Sequence, residues 1–234
     1  EDDFLRAVEN DDAWGLRQRT DGKTSKSLPA REFWNQIGEA AWVCADPGQQ
    51  FDTTINDWHT CTDTDRIYAS NPCSEYMFLD NSACNLASLN LMKFRLPDGA
   101  FDIESFRWAV AVTITAQEII VNNAGYPTDA IAKNSHDYRP LGLGYANLGE
   151  LLMSLGIPYD SDEGRAYAAA ITANMTGQAY LTSSKIAGAL EPFSGYSKNE
   201  EPFLEVMRMH RDSVKGINRN NIPDDLYESA WKVW

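Results

Sequence analysis

The stretch at residues 71–91 constrains this chain most, because it places two cysteines in one loop that leads into an apolar segment. The loop begins Asn-Pro-Cys-Ser-Glu, with Asn71, Cys73 and Glu75 at alternate positions, and Cys84 follows later. Side chains two residues apart in extended backbone lie on the same side. The sequence therefore predicts an amide, a thiol and a carboxyl group around one small volume.

The segment after Cys84 predicts a buried strand. Residues 85–91 run Asn-Leu-Ala-Ser-Leu-Asn-Leu, with leucines at alternate or near-alternate positions. Asn85 and Asn90 interrupt the apolar pattern, and buried amides need hydrogen-bond partners. On spacing alone, inert core cysteines and an ordinary Asn-Pro turn would also explain this stretch.

Composition and charge indicate a globular chain and bear on its partners and cellular compartment. The 234 residues are 43% hydrophobic and 23% charged, which is typical of a globular chain with a sizeable core. The net charge of −14 argues against a nucleic-acid partner, but a helix N-terminus can still bind a nucleotide phosphate. No apolar run reaches membrane-spanning length, so no membrane partner is expected. The four cysteines show no metal-site spacing and favour a reducing, cytoplasmic compartment.

Alternating strand and helix patterns along the chain predict an α/β architecture. A hairpin is expected across Asp21-Gly22 and a strand at 51–55, in addition to the strand after Cys84. Cys44 lies on the apolar face of its helix and is predicted to be a packed core thiol. The helices are expected near residues 3–9, 30–43, 103–121, 148–155, 165–187 and 203–210.

The two motifs together closely resemble the active-site finger loop of ribonucleotide reductases, which is Asn-x-Cys-x-Glu followed by Cys-Asn-Leu-x-Ser-x-Asn-Leu. The resemblance covers about residues 30–196. Pro72, directly before the cysteine, is similar to the adenosylcobalamin-dependent (class II) enzymes, whereas the class I large subunit more often has leucine there. The implied fold is a ten-stranded α/β barrel of two five-stranded halves, with the finger loop threaded through its centre.

The resemblance also implies how far this chain extends within that fold. We expect residues 1–234 to be one incomplete catalytic barrel domain, with the finger loop and its following strand at 66–92. The absence of an initiating methionine and the final apparent helix without a cap both favour an internal piece of a longer polypeptide. On this basis the isolated piece is expected to be inactive.

The implied activity is radical-based reduction of ribonucleotides to 2′-deoxyribonucleotides. By resemblance, Cys73 becomes a thiyl radical that abstracts the ribose 3′ hydrogen. Glu75 takes the 3′-hydroxyl proton, and Asn71 hydrogen-bonds the substrate hydroxyls. Cys84 is one half of a reducing dithiol whose partner lies outside this chain.

His59 and Ser70, just before and within the finger loop, are implied to position the substrate, and no metal site is expected. The implied cofactor is adenosylcobalamin, and the implied substrate is a ribonucleoside di- or triphosphate. A thioredoxin-like or other dithiol reductant is expected, and a homodimer of the full-length protein is compatible with the resemblance. Two alternatives stay open: a class I large subunit with a separate metal-bearing radical protein, and a non-catalytic α/β interaction module.

Overall fold

A computed structural model describes residues 2–234 of the chain, which form two compact units. Among the described residues, the smaller unit comprises residues 2–58 and the larger unit is His59–Trp234. Over residues 2–234, no helix combines the length and the apolar character that crossing a membrane requires.

The smaller unit is built from three helices and one hairpin. The ring of Phe4 packs edge-on against Trp14 at 5.2 Å and against Phe33 at 5.7 Å between centroids, which joins the first helix to the hairpin and to the second helix. The predicted helix at 30–43 and the predicted hairpin are confirmed. The elements are α1 (Asp2–Asn10), β1 (Ala13–Arg17), β2 (Thr24–Pro29), α2 (Ala30–Cys44) and α3 (Asp52–Asp57).

Two predictions in the smaller unit are wrong. Residues 51–55 were expected to form a strand, but most of them belong to α3, in which Asp52 places a negative charge in the first turn. Cys44 is exposed at the last turn of α2, where its thiol donates to the carbonyl of Ala40 at 3.3 Å. Apolar residues near the end of α2 are not all buried, since Trp42 is 89% exposed.

The larger unit has a parallel pair of strands packed against helices. The strands align residue by residue from Asn85 opposite Leu141 to Asn90 opposite Ala146. A parallel pair needs a crossover connection, and two helices supply it. The elements are β3 (Asn85–Asn90), α4 (Ile103–Asn123), α5 (Asp129–Tyr138), β4 (Leu141–Ala146), α6 (Leu148–Ser154), α7 (Asp162–Leu190), α8 (Glu200–Ser213) and α9 (Asp224–Val233), with short 3₁₀ turns at Leu91–Phe94, Val214–Gly216 and Arg219–Asn221.

The core of the larger unit lies where α4, α6 and α7 pack on the strand pair. Asp102 caps α4 as predicted, since its Oδ1 accepts the N–H of Ser105 at 3.0 Å. Phe106 and Val110, one turn apart on α4, are fully buried. Burying side chains of this size stabilises the fold by about 1.5–3 kcal/mol each.

The α/β class is confirmed in this unit. Its helices are those predicted, apart from α5, which has no counterpart among the sequence-based predictions. Residues 66–84 form neither helix nor strand, so the stretch between the cysteines is a loop. The larger unit thus contains one parallel strand pair preceded by a long loop, and the ten-stranded barrel remains a prediction.

Candidate active site

The first cysteine lies in a tight turn. The N–H of Ser74 donates to the carbonyl of Asn71 at 3.0 Å, and Ser74 has a left-handed φ of 61°. The side-chain Oδ1 of Asn71 accepts the N–H of Tyr76 at 3.0 Å. The alternation expected for extended backbone is therefore interrupted between Cys73 and Glu75, because Asn71 closes a turn around them.

The groups that this turn presents are accessible. Cys73 and Glu75 are exposed, and Asn71 is half-buried. Among the residues that the structure describes, neither the Cys73 thiol nor the Glu75 carboxylate has a hydrogen bond or an ion pair, and the Asn71 Nδ2 donates to no group. Ser70 supports the turn from one side, with its Oγ donating to the Asn71 carbonyl at 3.1 Å. A thiol, a carboxylate and an amide N–H are thus available to a ligand.

Two helices hold the chain on either side of Cys84. On one side, the N–H of Ala83 donates to Oγ of Ser135 on α5 at 3.1 Å. On the other side, Nε2 of Gln117 on α4 donates to the carbonyl of Asn85 at 3.0 Å. The backbone of the second cysteine is therefore fixed directly before and directly after it.

A glycine makes room for the Cys84 side chain. Gly142 on β4 lies opposite Leu86 in the parallel pair. A Cβ at position 142 would lie 3.5 Å from the Cys84 Sγ and 2.3 Å from a methyl carbon of Leu86. The sulfur therefore packs close to the bare backbone of β4.

The electrostatic surroundings of Cys84 favour the protonated thiol. Burial raises the pKa of Cys84, and the negative charge of Glu75 raises this pKa further. Burial also raises the pKa of Tyr76 to about 12. The Ser82 hydroxyl donates to the carbonyl of Leu79, so the Tyr76 hydroxyl donates to Ser82 Oγ at 2.7 Å.

His59 is used in packing at the start of the larger unit. Its ring is buried, with Nε2 3.0 Å from the carbonyl of Asp65 and Nδ1 3.5 Å from the N–H of Cys61. These contacts require the neutral ring with its proton on Nε2. Burial lowers the pKa of His59, against the opposing effect of Asp65. The ring also meets Phe78 of the loop at 66–84 edge-on at 5.8 Å.

A second set of residues supports the loop at 66–84 through contacts that the sequence analysis did not identify. Phe78 meets the ring of Tyr138 at 6.2 Å between centroids. The Tyr138 hydroxyl lies 3.0 Å from Oγ1 of Thr64, and Nδ2 of Asn199 donates to that Oγ1 at 2.7 Å. No local pattern marks these positions, because each contact joins residues far apart in sequence.

The chain is similar in sequence to proteins of one known family. A family model described as the ribonucleotide reductase barrel domain matches residues 1–231. A vitamin B12-dependent ribonucleotide reductase of Rhodopirellula baltica is 51% identical over all of this chain and 22% of the relative. One of Agrobacterium fabrum is 55% identical over 92% of this chain and 17% of the relative. A vitamin B12-dependent ribonucleoside-diphosphate reductase of Mycobacterium tuberculosis is 33% identical over 84% and 28%, respectively. The chain thus spans between 17% and 28% of the length of these curated relatives.

Proposed function

This chain belongs to the ribonucleotide reductase family, and we propose that it forms part of the catalytic barrel of a vitamin B12-dependent enzyme that reduces ribonucleotides to 2′-deoxyribonucleotides. One observation carries the proposal. The exposed thiol of Cys73, which makes no hydrogen bond to residues 2–234, lies two residues from the exposed carboxylate of Glu75 and in the same loop as a second, partly buried cysteine, Cys84. The relatives carry vitamin B12-dependent names, so the class I alternative is not favoured.

The reaction requires a radical, because closed-shell acid and base groups do not break an unactivated ribose C–H bond. Adenosylcobalamin, when bound, would supply the radical chemistry for which a protein thiol is the first hydrogen-atom donor. Cys73 fits this requirement, since its thiol is exposed and makes no hydrogen bond to residues 2–234. The resulting thiyl group takes the 3′ hydrogen atom of the substrate, so that the S–H bond re-forms as the C3′–H bond breaks.

Glu75 and Asn71 handle the hydroxyl groups. The carboxylate of Glu75 accepts the 3′-hydroxyl proton, while the 2′-hydroxyl takes a proton from the reducing thiol pair and leaves as water. The two ends of the Asn71 amide have separate roles: Oδ1 is occupied by the N–H of Tyr76, and Nδ2 is free to donate to the ribose. Asn71 therefore shapes the turn and holds the sugar at the same time.

Cys84 supplies one of the two reducing sulfurs. Its raised pKa keeps it protonated near neutral pH, so it can deliver both a proton and an electron. A partner cysteine outside this chain delivers the second electron and proton, and the two sulfurs join in a disulfide. A thioredoxin-like or other dithiol reductant then restores the pair.

The remaining assignments concern the whole enzyme. We propose a ribonucleoside di- or triphosphate substrate, and the name of the Mycobacterium tuberculosis relative favours the diphosphate. We also propose a cytoplasmic location and a homodimer for the full-length protein. His59 and Ser70 position the substrate indirectly, by supporting the finger loop. His59 packs against Phe78 of this loop, and Ser70 donates to the carbonyl of Asn71 in its turn.

The test compares cysteine variants of the full-length polypeptide. Cys73→Ser should abolish both deoxyribonucleotide formation and release of the substrate 3′ hydrogen to solvent, because a serine hydroxyl does not form the required radical. Cys84→Ser should also abolish product, but it should retain 3′-hydrogen exchange. Cys44→Ser is the matched control, since it removes an exposed thiol outside the loop and should leave turnover unchanged.

Two results would contradict this assignment. Product formation by the Cys73→Ser variant would remove the proposed function. Equal 3′-hydrogen exchange in the Cys73→Ser and Cys84→Ser variants would show that their roles are not distinct.

A further inference from the structure

Gln117 on α4 joins the two parallel strands through a single amide group. Its side chain is 3% exposed. Its Nε2 donates to the carbonyl of Asn85 on β3 at 3.0 Å and to the carbonyl of Gly142 on β4 at 2.7 Å. An amide nitrogen carries two protons, so both are used and each goes to a different strand. The orientation of the amide is fixed by these two acceptors.

The two carbonyls that Gln117 contacts belong to residues that flank Cys84 in the chain or in space. Asn85 follows Cys84 in the chain, and Gly142 provides the bare backbone that the Cys84 sulfur approaches. Asn85 also returns a bond, since its Nδ2 donates to the backbone carbonyl of Gln117 at 3.2 Å. The start of β3 is thus tied to α4 in both directions.

Stability alone does not account for this arrangement. The Gln117 Oε1 and the Asn85 Oδ1 are both buried without a hydrogen-bond partner in residues 2–234. Each such acceptor costs about 1–3 kcal/mol, a cost that an apolar side chain would avoid. Gln178, buried on α7, differs: its Oε1 accepts from Arg107 at 2.8 Å and its Nε2 donates to Thr182 at 3.2 Å. What the Gln117 amide specifically provides is the position of two carbonyls.

We propose that Gln117 is a positioning residue for Cys84: its amide holds β3 against β4 so that the sulfur stays packed over Gly142. Cys84 is the reductant in the proposed function, and the inference rests on that assignment. Without the two bonds, the first residues of β3 keep only the bond from the Asn85 amide to the backbone of α4. The partial burial that keeps the Cys84 thiol protonated then weakens.

The test uses the full-length polypeptide and reads the Cys84 thiol directly. The variant Gln117→Met keeps the length of the side chain and removes both donors. The matched control is Gln178→Met, which removes a buried glutamine that does not contact β3 or β4. Iodoacetamide alkylation of Cys84 is followed by mass spectrometry across pH 7–10. Because the thiolate is the reactive form, we expect alkylation on the order of threefold faster at pH 8 in Gln117→Met, with the pH profile displaced downwards.

A second variant keeps the test decisive if Gln117→Met does not fold. Gln117→Asn retains an amide but is shorter by about 1.5 Å, so it no longer reaches both carbonyls. It should change the alkylation profile in the same direction. Profiles that match the parent or the Gln178→Met control, despite a loss of thermal stability, would overturn the proposal and leave Gln117 with a structural role alone. Turnover of the parent is measured separately, so failure of the proposed function is distinguishable from failure of this inference.

Discussion

Replacing Gly195 with alanine should loosen the support of the loop at 66–84, because no space exists for a side chain at position 195. A Cβ at this position would lie 2.2 Å from Cε1 and 2.6 Å from Cδ1 of Tyr138. Gly195 does not have a left-handed φ, so alanine introduces no backbone strain and the effect is steric. The Tyr138 ring is confined in turn by Phe78 and Phe193, with centroids at 6.2 and 6.4 Å.

The magnitude follows from the distances. Non-bonded carbons pack at ~3.5–4.0 Å, so the Tyr138 ring must move by about 1.3 Å or more. Such overpacking destabilises a core by about 1–3 kcal/mol. A displacement of this size also breaks the hydrogen bond between Tyr138 and Thr64, which contributes about 1 kcal/mol. We therefore expect Gly195→Ala to destabilise the larger unit by about 2–4 kcal/mol.

Native-state hydrogen exchange of the full-length polypeptide measures this effect locally. A loss of about 2 kcal/mol corresponds to roughly 30-fold faster exchange in peptides that contain Tyr138 and Gly195. The matched control is Gly188→Ala on α7, where a Cβ meets nothing within 4 Å and a helical alanine should be neutral or stabilising. In a Tyr138→Ala background, Gly195→Ala should cost little. Equal costs of Gly195→Ala in both backgrounds would refute the steric argument.

Two further predictions concern a histidine and the isolated chain. The pKa of His59, followed by exchange of its imidazole C2–H, should lie below the ordinary value of 6.5, because burial disfavours the charged ring. The stability that comes from keeping the ring neutral is full above pH 6.5 and is lost as pH falls through the folded pKa. A midpoint at or above 6.5 would contradict the buried, neutral assignment. The isolated 234-residue chain should form no deoxyribonucleotide above a Cys73→Ala blank, because β3 and β4 pair only with each other among the described residues and their outer edges stay open. Turnover above that blank would mean that the site is complete within this chain.

The elements that the sequence predicts well are those whose signals are local. The long helix α4 follows an aspartate cap and a regular apolar spacing, and both features appear in the structure. The prediction of a strand at 51–55 was wrong because it gave the β-branched composition more weight than the aspartate that begins α3. Propensity is a weak guide over so few residues, since surrounding contacts override it.

The candidate site likewise contains residues that a local motif predicts and residues that it does not predict. Cys73, Glu75 and Asn71 are found from one short motif, because they lie within five consecutive residues. Gln117 and Ser135 hold the second cysteine from positions far away in the sequence, and neither has a local pattern that predicts a partner. Such residues become visible only when the crossover has brought α4 and α5 against the start of β3.

The different surroundings of the two cysteines support different chemical roles, independently of any motif. A thiol that exchanges a hydrogen atom with a changing set of partners must be approachable, and Cys73 is exposed in a turn with no competing hydrogen bond among the described residues. A thiol that stores reducing equivalents must resist unwanted reaction between turnovers, and a protonated thiol is a poor nucleophile. Cys84 meets that condition, because partial burial and the charge of Glu75 both disfavour its thiolate. The carboxylate that is proposed to accept a substrate proton therefore adds to the burial that keeps the proposed reducing sulfur protonated, and one side chain would serve both half-reactions.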